Sequence, residues 1–130
     1  MTYPAASPIP GITIVMIQSA VVFFNADYLK RRLLKIARAG GGANHCLLIE
    51  ASAVNMLDST AIAMLEELRT ELAAHGITLY LSELNSRARK ALLRSDFAEQ
   101  LGEGTLFATT EAAIAAHLAR GDTPSPLPTN

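Results

Sequence analysis

Cysteine is nearly absent. The single Cys46 excludes an intramolecular disulfide and suits a reducing compartment. An excess of either charge is absent as well: 11 basic and 12 acidic side chains leave a formal charge of -1. That balance provides no global field to attract nucleic acid or an anionic membrane, so any electrostatic partner must be met locally. There is no long hydrophobic run. The longest, Ile12 to Phe24, is 13 residues and is interrupted by Thr13, Gln18 and Ser19, whereas a membrane span needs roughly 20. The chain is therefore expected to be soluble by itself. Met1 is followed by TYPAASPIP, which has neither a basic residue nor an apolar core and does not read as a secretory signal. With 130 residues, the chain suffices for one domain whose core needs no disulfide or metal.

Proline marks the two ends. Pro4, Pro8 and Pro10 fall in residues 1–10, and Pro124, Pro126 and Pro128 in residues 121–130; both stretches read as linker or tail, because proline resists helix and sheet. Between them, ITIVMIQ (12–18) reads as a strand and AVVFF (20–24) as a second short extended segment. Asn25 suits an N-cap for ADYLKRRLLKIARA, whose Leu29, Leu33, Ile36 and Ala37 recur at helical spacing before the glycines at 40–42 stop it. CLLIEA (46–51) is a continuous apolar run, as in a strand covered on both faces, and belongs at the centre of a sheet. A helix over 59–75 ended by Gly76, a strand over 77–82, a helix over 86–100, a strand stub over 105–107 and a helix over 110–120 follow. This alternation predicts an α/β domain over 11–120: a mixed or largely parallel sheet flanked by about four helices.

Enzyme signatures do not emerge. AGGGAN (39–44) follows a helix and precedes a strand, the reverse of a phosphate-binding loop, and lacks the Gly-Lys-Ser/Thr ending. His45, His75 and His117 share no metal-ligand spacing with Cys46. His45 and Cys46, as strand neighbours, point to opposite faces and do not form a nucleophile pair; Cys46 reads as a small core residue. Nothing in the pattern brings Glu50 and Asp58 together as paired carboxylates. No catalytic residue, cofactor or metal is therefore assigned.

Nine of the 11 basic residues lie in two helices: Lys30, Arg31, Arg32, Lys35 and Arg38 in one, Arg87, Arg89, Lys90 and Arg94 in the other. Arg31, Lys35 and Arg38 form a stripe opposite Leu29, Leu33 and Ile36. It is either a solvated face or a docking stripe for an acidic protein surface or lipid head groups. No aromatic side chains are interleaved with these charges, which argues against single-stranded nucleic acid. The stretch VNMLDSTAI (54–62) puts Asp58, Ser59 and Thr60 where a helix begins. Such side chains cap orphan amides, and a hydroxyl there also makes a good phosphate acceptor.

Several of these segments together resemble the STAS domain, shared by anti-sigma-factor antagonists and sulfate-permease-type anion transporters. The resemblance is carried by CLLIEASAVNML running into DSTAIAMLEELRTELAAHGITLYLSEL, over about residues 8–120. PIPGITIVMIQSAVVFFNADYLKRRLLKIA and LLRSDFAEQLGEGTLFATTEAAIAA resemble the transporter branch. The resemblance implies a STAS-like mixed sheet with flanking helices. It also implies a non-catalytic regulatory domain on the cytoplasmic side of a membrane, attached to the transmembrane part of a secondary anion transporter of the sulfate or bicarbonate/dicarboxylate class. Its partners would be that transmembrane part, cytosolic regulatory proteins and lipid head groups. The alternative is a free-standing anti-sigma antagonist switched by phosphorylation of the serine after the loop aspartate, here Ser59. Glu50 stands where the family commonly has aspartate and Ala61 where antagonists have glycine. Nucleotide binding, proposed for some members, finds no supporting phosphate motif here.

Overall fold

The computed structural model describes residues 2–5, 11–17, 26–40, 45–102 and 104–122. Strands β1 (Thr2–Ala5), β2 (Ile12–Ile17), β3 (Cys46–Glu50), β4 (Thr78–Ser82) and β5 (Leu106–Phe107) form one sheet in the order β1-β2-β3-β4-β5. β1 runs antiparallel to β2, and the remaining pairs are parallel. Helix α1 (Ala26–Gly40) lies between β2 and β3 in the chain, and α2 (Ser59–Ala74) between β3 and β4. Two short helices, α3 (Ser86–Leu93) and α4 (Ala98–Leu101), precede β5, and α5 (Thr110–Asp122) follows it. β3 takes the central place expected for its unbroken apolar run.

Alternation along the strands divides the core into two layers. Val15, Ile17, Leu47, Ile49, Leu79 and Leu81 meet α1 through Leu29, Leu33 and Ala37, α2 through its six buried residues, and α3 through Ala88 and Leu92. Ile12, Cys46, Leu48 and Tyr80 meet α5 through Ala113 on the other face. Burial pushes the Cys46 thiol up to about 12 despite the nearby Arg120 charge, so it stays protonated and inert at neutral pH. Arg120 ties α5 down by donating to the Tyr80 hydroxyl at 3.0 Å and to Thr78 Oγ1 at 3.1 Å.

Helix ends follow capping rules. At the end of α2, Ile77 N–H donates to the Leu72 carbonyl and Gly76 N–H to that of Ala73, with Gly76 at φ 73°. This is a Schellman closure that needs a residue free to adopt left-handed backbone, as Gly76 was expected to be.

Three expectations are corrected. Residues 1–10 are not all linker: Thr2–Ala5 is a strand, paired through Pro4 and Val15 among others. It is an edge strand, where the missing proline N–H is tolerated because only one side is paired. The expected helix 86–100 is two helices, because Ser95 interrupts it. Its hydroxyl donates to the Leu92 carbonyl at 2.6 Å and accepts from Phe97 N–H at 3.1 Å, replacing helix bonds with side-chain bonds. That gives five helices among the described residues, where about four were expected. Helix α5 also reaches Asp122, inside the expected tail. The segment at 20–24, the Asn25 cap, the turn at 41–44 and the rest of the C-terminal tail lie outside the described residues.

His45 and His117 are both buried. His45 Nε2 lies 2.6 Å from Thr13 Oγ1 on β2, and burial together with the charge of His117 depresses its affinity for a proton below the ordinary 6.5. The unfolded chain then binds the proton more readily than the folded one. Stability from this site is complete above 6.5 and falls as pH drops from 6.5 towards the depressed value. The loss from Glu66, held down first by its hydrogen bond from Arg69, begins only below 4.5. Urea midpoints should therefore decline just below 6.5 in the wild type, and His45→Gln should flatten that segment of the profile; an unaltered slope would remove His45 as the cause.

Candidate functional site

The loop between β3 and α2 starts at the carboxyl end of the central strand. Ala51 N–H donates to the Ser82 carbonyl at 2.9 Å, and Val54 N–H closes a turn on the Ala51 carbonyl at 3.0 Å. Glu50 is occupied locally, accepting from the Ser52 hydroxyl at 3.0 Å. Val54 and Leu57 are buried anchors, whereas Asn55 and Met56 between them are exposed. The apolar anchors hold the loop on the core and leave its tip outside.

Asp58 then begins the helix. Its backbone is extended, its Oδ1 accepts from Ala61 N–H at 2.8 Å, and its carbonyl accepts from Ile62 N–H. Capping therefore falls to Asp58 alone. Ser59 and Thr60 are the first two helical residues and both are exposed. The Ser59 hydroxyl makes no hydrogen bond among the described residues, so it stands outward at the positive end of the α2 dipole.

Asn85 was not singled out from the sequence, yet it fixes this loop. Its Oδ1 caps α3 by accepting from Ala88 N–H at 2.8 Å, while its Nδ2 donates to the carbonyls of Val54 at 3.2 Å and Asn55 at 3.1 Å. One amide thus serves as cap and clamp. The only local signal is an asparagine directly before SRARK, which marks the cap but not the clamp.

Ser59 is shared by two grooves. One lies beside the start of α1 and is lined by Asp27, Thr60, Met64 and Glu67; the other lies towards α3 and α4 and is lined by Ile62, Arg94, Asp96 and Phe97. His45 and Cys46 are at the far end of β3, about 16 Å of strand away, and neither can act as a base for Ser59. Asp58 is committed to its cap and Glu50 to Ser52, so the two carboxylates do not form a catalytic pair. The geometry suits recognition of a partner by an exposed loop with recesses on either side.

Arg31, Lys35 and Arg38 are exposed on the side of α1 opposite its buried Leu29, Leu33 and Ala37. Arg31 pairs with Asp27 one turn earlier, while Lys35 and Arg38 make no ion pair among the described residues. Lys30, by contrast, bridges to Glu67 and Glu71 of α2, whose carboxylates raise its affinity for a proton. The stripe and the loop are separate features; Asp27, which pairs with Arg31 and lines a groove beside Ser59, links them.

A model of the STAS domain matches residues 3–113. The chain belongs to the STAS domain family. The STAS chain is 32% identical over 123 residues to "Sulfate transporter 1.1" of Arabidopsis thaliana, covering 88% of itself and 19% of that protein. The chain thus spans about a fifth of the length of such curated relatives. Among solved structures, a sulfate transporter family protein from Wolinella succinogenes aligns with a TM-score of 0.74 at 27% identity, over 90% of this chain and 93% of that one. The murine Solute Carrier 26 family member A9 anion transporter, in its inward-facing state, aligns with a TM-score of 0.75 at 21% identity, over 88% of this chain and 19% of that one. The second likeness speaks for the fold. No helix among the described residues is long and apolar enough to cross a membrane.

The two asparagine–aspartate positions make opposite predictions. Asp58→Asn keeps a cap acceptor and should cost at most a few tenths of a kcal/mol, whereas Asp58→Ala should cost about 0.5–2 kcal/mol. Asn85→Asp also keeps a cap acceptor but loses both clamp bonds, and should cost about 1–2 kcal/mol. Equilibrium urea unfolding of the four proteins checks this; equal stability of Asn85→Asp and wild type would dismiss the clamp.

Proposed function

We propose that this chain is the non-catalytic STAS region of a sulfate-permease-type secondary anion transporter, carried on the cytoplasmic side of the membrane and in contact with the transmembrane part. The observation that carries the reading is one of proportion: a sulfate transporter matches 88% of this chain, but only 19% of that transporter is accounted for. The remaining length of such a protein leaves room for the membrane-spanning body that the described residues lack. In this reading the transported anion is of the sulfate or bicarbonate/dicarboxylate class and is selected outside this domain. The STAS region contributes regulation through two surfaces: the loop bearing Asp58, Ser59 and Thr60, which faces the transporter body or a cytosolic regulatory protein, and the stripe Arg31, Lys35 and Arg38.

The first test is the parent reading frame, which should hold several apolar spans upstream of these residues. In the full-length protein, Lys35→Glu with Arg38→Glu should change anion uptake while the isolated domain keeps its unfolding midpoint. Unchanged uptake would return the stripe to simple solvation.

The exposure of Ser59 at the first position of α2 favours a second reading, a free-standing antagonist of an anti-sigma factor switched by serine phosphorylation. A phosphate there would meet the unpaired amides and the positive dipole end of α2 without melting it. Incubation with a cognate kinase and ATP should then label the wild type and not Ser59→Ala; label that survives the substitution, or no label at all, counts against this reading.

A further inference from the structure

The near-zero net charge conceals a concentration of the cations on one face of the sheet. Helices α1 to α4 occupy one face, and residues 26–40, 59–74 and 86–102 together carry 10 basic and six acidic side chains. All the rest of the chain, including the α5 side, carries one basic and six acidic side chains. One layer is thus four charges positive while the remainder is five charges negative.

Ion pairing occupies part of this charge. Glu66 pairs with Arg69, Glu67 and Glu71 share the single charge of Lys30, and Asp27 pairs with Arg31, while Asp96 and Glu99 make no ion pair among the described residues. The cations of this layer left without an ion pair among the described residues are Arg32, Lys35 and Arg38 on α1, Arg87, Arg89 and Lys90 on α3, and Arg94 at the C-cap of α3, all exposed. Helix α3 contains no acid at all. Lys90 and Arg94 lie opposite its buried Ala88 and Leu92, just as Lys35 and Arg38 lie opposite the buried face of α1. Each set has one large apolar side chain beside it: Tyr28, 56% exposed, heads the α1 stripe, and Leu93, 45% exposed, sits between Lys90 and Arg94 on α3.

We infer that the outer face of α1 and α3 is a docking surface for an anionic lipid bilayer. The two cationic rows supply seven exposed cations without an ion pair, against the two unpaired acids Asp96 and Glu99 and one charge left over where Glu67 and Glu71 share Lys30, so approach to anionic head groups meets net attraction. An aromatic and an aliphatic side chain beside the rows suit the head-group boundary, where amphipathic and apolar groups bury their bodies while neighbouring cations stay at the phosphates. The α5 side, with Arg120 against Glu111 and Asp122, has no excess of cations to compete for the same membrane, which favours one orientation of the domain. This deepens the transporter reading, which holds the domain beside a membrane.

Sedimentation of the 130-residue chain with vesicles tests the inference directly. Vesicles of equal parts phosphatidylcholine and phosphatidylglycerol should bind it, pure phosphatidylcholine vesicles should not, and added salt should release it. Neutralising Lys35, Arg38, Lys90 or Arg94 singly to glutamine should lower the partition coefficient about fivefold each. Glu111→Gln on α5 should leave it unchanged. Equal binding to neutral and anionic vesicles, indifference to the four substitutions, or binding of poly-glutamate without binding of vesicles would overturn it. A parent frame without apolar spans would instead remove the transporter reading while vesicle binding could still be measured.

Discussion

A strand buried on both faces governs this molecule. Cys46, Leu47, Leu48 and Ile49 have essentially no exposure, so every backbone amide and carbonyl of β3 must find a partner within the sheet, and both side-chain layers must be roofed. Parallel neighbours β2 and β4 satisfy the first requirement. The helices supplied by the obligatory crossovers satisfy one half of the second, and α5 supplies the other. The loop between β3 and α2 inherits its position from this constraint, because it can only emerge at the carboxyl end of the strand from which it continues.

Rigidity at that emergence comes from short polar side chains. Asp58 and Asn85 each cap a helix, and Asn85 also holds the loop that leads to Asp58. The exposed Ser59 hydroxyl is therefore carried by a fixed frame: buried Val54 and Leu57 below, a clamped backbone beside, and a capped helix behind. Partner recognition by such a frame loses little conformational entropy on docking, since the ordering has already been done in folding.

Much of this was legible in the sequence, for reasons that differ among elements. The β3 run, the apolar periods of α1 and α2 and the glycine stop at Gly76 are local patterns, and local patterns survive into the fold. Pro4 misled because edge strands follow different rules from central ones, and edge status is a property of topology. Ser95 misled because its hydroxyl can either face solvent or capture a carbonyl, and the sequence pattern is the same in both cases. At the candidate site, Asp58 declared itself by its place before an apolar period, but the clamp of Asn85 spans 30 residues to Asn55 and has no local sign. Nor did the near-neutral total charge reveal that ten of the 11 basic side chains share one face of the sheet, since that depends on which helices pack together.

Strand order follows chain order without exception. Each newly made strand finds its partner already laid down, and no segment must wait for a later one to complete a gap between two others. A chain emerging from the ribosome could add strand and helix in turn, as a growing edge. For a unit that accompanies a far longer polypeptide in its relatives, such vectorial assembly shortens the time during which an apolar edge such as that of β3 lies open to mispairing.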